Sequence, residues 1–140
     1  MRFIHRRGAL MDWDVDGVTC GPEYFGDFEP RKVLYEFDGP RIFTTANGAG
    51  DDFLVYMCDE DDEHTRYLVV PTSEAIVKAL CSGLITVLDA LNQPRTWLVD
   101  RAHNGRIERA RKIASGQMPD GTLPLHGTLL WPLLRQTSMF

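Results

Sequence analysis

The stretch Phe53-Leu54-Val55-Tyr56-Met57-Cys58 carries an apolar side chain at each of its six successive positions. A short run of this kind indicates a central strand of a sheet that is covered on both faces. The acidic run Asp59 to Glu63 follows it, and Arg66-Tyr67-Leu68-Val69-Val70 then forms another strand signal that ends at Pro71. The sequence therefore predicts two strands joined by an acidic hairpin loop.

Strand signals continue on both sides of this hairpin. Upstream, Val33-Leu34-Tyr35-Glu36-Phe37 and Arg41-Ile42-Phe43-Thr44-Thr45 are rich in β-branched and aromatic residues. The turn signal Asp38-Gly39-Pro40 separates them, so the pair is predicted to form a hairpin. Downstream, Thr96-Trp97-Leu98-Val99 predicts a fifth, short strand.

The hydrophobic period changes from two to about 3.6 residues after Pro71, which indicates a helix. Ser73 is its predicted cap, and the stripe from Ile76 to Cys81 is its apolar face. Gly83 stands where a helix commonly ends. Thr86 and Asp89 resemble a capping box and predict a short second helical turn that runs through Leu91.

The segment 107–114 is predicted to form a basic helix, and Asn104-Gly105 is predicted to form the turn before it. On a helix, Arg109 and Lys112 share a face with Arg106. This basic face can contact the phosphates of a nucleic acid, although no aromatic residues are interleaved for base stacking. It can equally pair with the acidic loop or face solvent. The nucleic-acid candidates are Arg106, Arg109, Arg111 and Lys112.

Together these elements predict an α+β fold: an antiparallel meander of about four strands, a helix and a returning strand. The chain of 140 residues suits one domain of ordinary size. Glycine and proline recur in residues 1–31, so we expect an irregular N-terminal segment there. The segment after Ser115 is also rich in turn residues. Residues 32–140 are accordingly predicted as a single α+β domain.

The composition excludes several classes of protein. The chain holds 20 acidic and 15 basic residues, a net charge of −5, which disfavours nonspecific binding to nucleic acid. No apolar run approaches the roughly 20 residues of a membrane span, and no secretory signal is evident. The three cysteines are widely spaced without a Cys-x-x-Cys pair. We therefore expect reduced thiols, no zinc site, no membrane association and a cytoplasmic location.

An acidic motif near the start matches the calcium loop of an EF-hand. The pattern D-x-D-x-D-G-x5-E is completed by Asp12, Asp14, Asp16, Gly17 and Glu23. Alternating carboxylates converge on a hard cation, and the final glutamate closes the site. The motif predicts a Ca²⁺ site, while the absence of a clear helix on either side leaves a solvated acidic stretch or an edge strand as the alternative.

The acidic loop is the strongest candidate for binding a partner protein. Its five residues are Asp59, Glu60, Asp61, Asp62 and Glu63. A like-charge run can also be a solvated loop that prevents edge-to-edge pairing of strands. A third hypothesis is a metal-dependent hydrolase that uses Asp59, Asp61 and His64, although one loop rarely preorganises such a site.

A second candidate for partner binding is Trp131, in the apolar segment Leu129 to Leu134. The alternative for this segment is that it completes the core of the domain. If it is exposed, it marks a binding surface, because contiguous apolar patches rarely face water without a partner.

No Gly-x-Ser-x-Gly motif, phosphate-binding loop or dinucleotide-binding glycine pattern occurs in the sequence, and nothing in it requires an enzyme. The leading hypothesis is a small acidic protein-binding module that is accessory, inhibitory, or like an antitoxin or immunity protein. An acidic protein of this kind associates with a basic partner quickly and in a salt-sensitive way.

The middle of the chain resembles a group of small bacterial proteins of unknown function. The resemblance covers about residues 33–101 and rests on segments that include 37–43, 58–62 and 66–71. It continues through Ser82-Gly83, Thr86, Ala90-Leu91, Gln93-Pro94-Arg95 and Trp97. The resemblance implies a compact bacterial or phage-borne domain and assigns no activity to any residue.

Overall fold

The computed structural model describes residues 22–113, and over this range the backbone forms an antiparallel sheet of six strands. The strands follow one another across the sheet in chain order, so the topology is an uninterrupted meander. They are β1 (Lys32–Glu36), β2 (Pro40–Ala46), β3 (Asp52–Glu60), β4 (His64–Pro71), β5 (Thr96–Ala102) and β6 (Ile107–Ile113). A 3-10 helix (Pro22–Phe25) precedes the sheet, and α1 (Glu74–Cys81) and α2 (Val87–Leu91) connect β4 to β5.

The predicted α+β class with about four strands is wrong. Within residues 22–113 most of the regular structure is strand, and the two α-helices contain only eight and five residues. The expected returning strand is β5, which pairs directly with β4 as the next strand of the same meander. One further strand, β6, then pairs with β5. The helices are therefore one connection within a mostly-β domain.

The predicted basic helix at 107–114 is also wrong, because residues Ile107–Ile113 form β6. The expected turn at Asn104-Gly105 is present, with φ +94° at Gly105, and it returns the chain antiparallel to β5. The register shifts between Asp100 and Arg101, so Ile107 and Ala110 enter the same core cluster although they are three positions apart. The bulge shifts the inward–outward alternation of β6 by one residue. Two buried residues on one face are therefore three positions apart, which is also the spacing of buried residues on a helix.

Both helices begin where the sequence predicts. The Ser73 hydroxyl accepts a hydrogen bond from the Ile76 amide at 3.3 Å, which caps α1. Thr86 and Asp89 form the reciprocal capping box of α2, with distances of 3.0 and 3.1 Å. Gly83 follows α1 with φ +80°, the left-handed conformation that commonly ends a helix.

The prediction that β3 is a central strand with two covered faces is confirmed. Leu54 and Val55, which point to opposite faces of the sheet, are both fully buried. Leu54 packs in the core cluster that includes the apolar residues of α1 and α2. Val55 packs on the other face, in a cluster rich in aromatic side chains. The sheet is therefore buried on both sides at its centre.

Two phenylalanines from the segment before β1 complete the aromatic cluster. Phe25 and Phe28 have exposed fractions of 0% and 1%, and the Phe25 ring meets Phe53 and Trp97 edge to face. Part of the predicted irregular segment thus supplies core residues. The division of the chain at residue 31 stays a prediction, and residues 1–21 and 114–140, which include Trp131, lie outside the described range.

The meander places three turns at one end of the sheet. They connect β1 to β2, β3 to β4 and β5 to β6, and we call the surface formed by residues 37–39, 61–63 and 103–106 the hairpin end. The β2–β3 turn and the two helices lie at the opposite end. No helix in the described range is long and apolar enough to cross a membrane.

Candidate functional site

The acidic loop is the turn of the β3–β4 hairpin, and Asp61 organises it. The Asp61 carboxylate accepts hydrogen bonds from the backbone amides of Glu63 and His64, both at 2.8 Å. The Asp61 amide donates to the His64 carbonyl at 2.9 Å. Asp61 is 1% exposed, so its side chain shapes the turn and does not face a partner.

Asp59 is likewise turned away from solvent, with an exposed fraction of 7%. One of its carboxylate oxygens accepts from the Glu60 amide at 2.8 Å. Burial raises the pKa of Asp59 above its usual value, although the hydrogen bond from Glu60 and the nearby charge of Arg66 act in the opposite direction. The second carboxylate oxygens of Asp59 and Asp61 are buried and have no hydrogen-bond partner.

The five acidic candidates therefore divide into two groups. Asp62 and Glu63 are exposed at the tip of the turn, and the Glu60 side chain is 40% exposed beside it. Asp59 and Asp61 are buried beneath them. A binding partner would meet Glu60, Asp62 and Glu63 first, and the sequence pattern alone does not make this distinction.

An aromatic side chain that the sequence analysis did not select lies at the same end. Phe37 is 57% exposed at the β1–β2 turn. Arg41 fixes this turn, because its Nε donates to the Phe37 carbonyl at 2.6 Å and its guanidinium lies 6.0 Å from the centre of the Phe37 ring. Arg41 also lies 3.8 Å from the Glu60 carboxylate, which links the first two hairpins. The signal in the sequence was an aromatic residue directly before Asp38-Gly39.

A buried ionic cluster lies just below the hairpin end. Arg66 and Asp100 are register partners on β4 and β5, and Arg109 is the partner of Asp100 on β6. Arg66 contacts both carboxylate oxygens of Asp100, at 2.7 and 2.9 Å, and Arg109 reaches the same carboxylate at 3.2 Å. Burial lowers the pKa of Arg66, but the hydrogen bonds and charge of Asp100 outweigh it and raise the pKa overall. Arg66 therefore remains charged in the interior.

The three residues proposed for a hydrolase make separate hydrogen bonds. His64 contacts Glu108 on β6 at 2.6 Å, while Asp59 and Asp61 use one oxygen each for amides of their own turn. Within residues 22–113 no group of three or more His, Cys, Asp or Glu side chains could hold a metal ion. The described residues therefore offer no metal site for the hydrolase hypothesis, which stays a prediction.

The calcium motif falls almost wholly outside the described residues. Asp12, Asp14 and Asp16 lie before residue 22, and Glu23 is described only by its backbone, in the 3-10 helix Pro22–Phe25. A Ca²⁺ site at this motif stays a prediction.

The four basic candidates do not share one helix face. Arg109 is committed to Asp100, and Arg106 precedes β6 at the exposed β5–β6 turn. Because neighbouring positions of a strand face opposite sides, Lys112 and Arg111 point to different faces of the sheet. The structure therefore does not assemble the phosphate-binding face that the helical pattern predicts.

The two cysteines in the described range are reduced and partly buried. Burial raises the pKa of Cys58 to about 12, so this thiol stays protonated and weakly nucleophilic. Its sulfur lies 3.5 Å from the Arg66 carbonyl, to which the thiol donates.

Comparison with known proteins identifies a family for most of the described range. The model of a family of unknown function (DUF6575) matches residues 22–103. The match begins at the 3-10 helix and ends just after β5, so it includes the acidic hairpin and both helices. No curated protein and no solved structure matches the chain.

Proposed function

We propose the function of this chain from its own surface, because the chain belongs to DUF6575, a family whose description states no function. The protein is a small, acidic, non-enzymatic module that binds a basic partner protein through the hairpin end. The expected roles are accessory, inhibitory, or like those of an antitoxin or immunity protein, in the cytoplasm. The observation that carries the proposal is that the exposed Phe37 lies at the same end of the sheet as the exposed Asp62 and Glu63. Arg41 links Phe37 to Glu60, which borders the hairpin end.

The composition of this surface suits protein recognition. An exposed aromatic ring supplies apolar contact area, and aromatic residues dominate the binding energy of many interfaces. Carboxylates around it attract a basic surface over a distance and raise the rate of association. Glu36 and Asp38 add two further acidic residues next to Phe37. A partner with a basic rim around an apolar pocket would complement this end.

The hairpin end also has the rigidity that a binding surface needs. Asp61 holds the β3–β4 turn with two hydrogen bonds, and Arg41 connects the β1–β2 turn to Glu60. The buried ion pair between Arg66 and Asp100 joins β4 to β5 directly beneath. Preorganised side chains lose less conformational entropy on binding, so these internal contacts favour affinity.

The test is a pull-down with the full chain as bait, washed at low and at high salt. We expect a stoichiometric protein partner with a basic surface that is lost at high salt. The same pull-down with Phe37→Ala, and with Asp62→Asn combined with Glu63→Gln, should recover much less of this partner.

A matched control removes two acidic charges elsewhere. Asp27→Asn combined with Asp51→Asn changes the net charge equally but leaves the hairpin end intact, so it should retain the partner. Equal losses with both double variants would contradict a specific site and indicate an effect of net charge. A partner insensitive to salt, to Phe37→Ala and to the loop variants would refute the proposal.

A further inference from the structure

A cavity of about 250 Å³ lies at the opposite end of the sheet from the hairpin end. The first turns of α1 contribute Glu74, Val77 and Lys78 to its lining. Lys32 at the start of β1 and Asp52 at the start of β3 also line it. The cavity is therefore formed where the helix passes over the ends of the first strands.

Side chains of both charges surround this cavity without neutralising one another. Lys32 and Lys78 supply ammonium groups, and Asp52 and Glu74 supply carboxylates. Among the residues from 22 to 113, none of these four makes an ion pair within 4.0 Å. Arg31 also lines the cavity, but its guanidinium contacts Asp27 at 3.3 Å. Two cations and two anions thus remain available to a ligand.

A threonine with a buried hydroxyl group also lines the cavity. Thr72 Oγ1 is buried and makes no hydrogen bond. The Thr72 amide donates to the Asp52 carbonyl at 3.0 Å, which holds Thr72 beside β3. Thr45 also lines the cavity, but its hydroxyl donates to the Glu29 carbonyl. Neither hydroxyl is therefore available to a ligand, whose polar contacts would come from the four charged side chains.

We propose that this cavity binds a small zwitterion of the size of a free amino acid. The anionic group of the ligand would meet Lys32 and Lys78, and its cationic group would meet Asp52 and Glu74. Ligand pockets for larger molecules usually measure about 300–1,000 Å³, so this cavity favours a compact ligand. A simple anion would leave both carboxylates unpaired and would be repelled by them.

This inference is independent of the proposed function. The cavity and the hairpin end lie at opposite ends of the sheet and share no residue among those described. A protein partner can therefore be lost while the zwitterion binds, and the reverse result is equally distinguishable.

The experiment titrates the full chain with each standard L-α-amino acid by isothermal calorimetry. Each binder is then compared with its N-acetyl derivative, which lacks the cationic group, and with its methyl ester, which lacks the anionic group. We expect at least one amino acid to bind. Removing either charge should weaken binding about tenfold or more, because hydrogen bonds to charged groups are the strong ones.

Variants of the chain test whether the amino acid binds in this cavity. Lys78→Gln and Glu74→Gln are surface changes that should preserve folding and weaken binding about tenfold. Lys112→Gln on β6 removes a charge away from the cavity and should leave the affinity unchanged. Urea unfolding of each variant checks that the fold persists.

Three results would overturn the proposal. The first is that no amino acid binds the wild-type chain. The second is that acetate or inorganic phosphate binds as tightly as the best amino acid, which would make the cavity an anion site. The third is that the cavity variants bind like the Lys112→Gln control.

Discussion

Arg66 and Asp100 face each other directly across β4 and β5 and form a two-point ion pair with distances of 2.7 and 2.9 Å. Their side chains are only 4% and 5% exposed. Arg109 adds a third charge at 3.2 Å from the same carboxylate. The cluster therefore connects three neighbouring strands just below the hairpin end, and its stability should depend on keeping every charge paired.

Removing Asp100 should be strongly destabilising. Asp100→Ala leaves the buried Arg66 guanidinium without its carboxylate, and breaking a buried pair in this way costs about 3–5 kcal/mol. Replacing both members together, as Arg66→Met with Asp100→Leu, should cost less than Asp100→Ala alone, because the buried Arg66 charge is removed as well. Arg109 also loses its contact with Asp100, but its side chain is 38% exposed and keeps its hydration. Urea unfolding followed by circular dichroism measures both effects. Equal stability of Asp100→Ala and the wild-type chain would refute the role of the cluster.

The ionisation of Asp59 should make the fold less stable as the pH rises. Burial raises the pKa of Asp59 in the folded state above the unfolded value of 3.8. The folded state therefore binds this proton more tightly, and the stabilisation due to the protonated carboxyl is complete below the unfolded pKa. It is lost as the pH rises through the raised folded pKa.

The variant Asp59→Asn tests this dependence, because it keeps an acceptor oxygen for the Glu60 amide and cannot ionise. Its free energy of unfolding, relative to that of the wild type, should increase as the pH rises from 3.8 toward neutrality. Asp62→Asn removes the same charge at the exposed tip of the same turn and is the matched variant for comparison. Parallel curves for Asp59→Asn and the wild type would contradict the expectation.

Gly26 and Gly83 both have positive φ and differ in the space available for an added Cβ, so they separate the cost of backbone conformation from that of crowding. Gly26 has φ +68°, and an added Cβ would lie 3.0 Å from the Ala46 carbonyl oxygen. Gly83 has φ +80°, and an added Cβ would meet no other atom within 4 Å. We expect Gly83→Ala to cost about 1–2 kcal/mol from the backbone conformation alone. Gly26→Ala should cost more, because the β2 backbone must also shift. Thermal unfolding gives the order, and the reverse order would contradict this packing.

Phe25 and Phe37 test which aromatic residues belong to the core. Phe25 is fully buried, and Phe25→Ala should reduce the free energy of unfolding by about 3–5 kcal/mol. Phe37 is 57% exposed, so Phe37→Ala should remain within about 0.5 kcal/mol of the wild type. Urea unfolding compares the two. A stable Phe25→Ala variant would show that residues 22–31 are not part of the folded unit.

The candidate binding surface was only partly predictable from the sequence. The acidic run at 59–63 indicated a charged loop, and the loop is present. The run could not show that Asp59 and Asp61 turn inward, because this depends on hydrogen bonds to the backbone of the turn. The strand signal at residues 33–37 includes Phe37, whereas β1 ends at Glu36 and Phe37 is exposed at the β1–β2 turn. No pattern in the sequence indicates the cavity beside α1, because its lining residues are up to 47 positions apart, from Arg31 to Lys78.

Local sequence by itself determined the elements whose signals are short-range. Apolar runs and the alternation of apolar with polar residues predict the first five strands. The capping residues Ser73 and Thr86 predict the starts of both helices. The tertiary structure decided the sixth strand, because Ile107, Ala110 and Ile113 fit a helical spacing equally well. Only pairing with β5, through a bulge and the contact between Arg109 and Asp100, selects a strand there. Such pairing is a long-range interaction, and it outweighs the weak local preference of this segment.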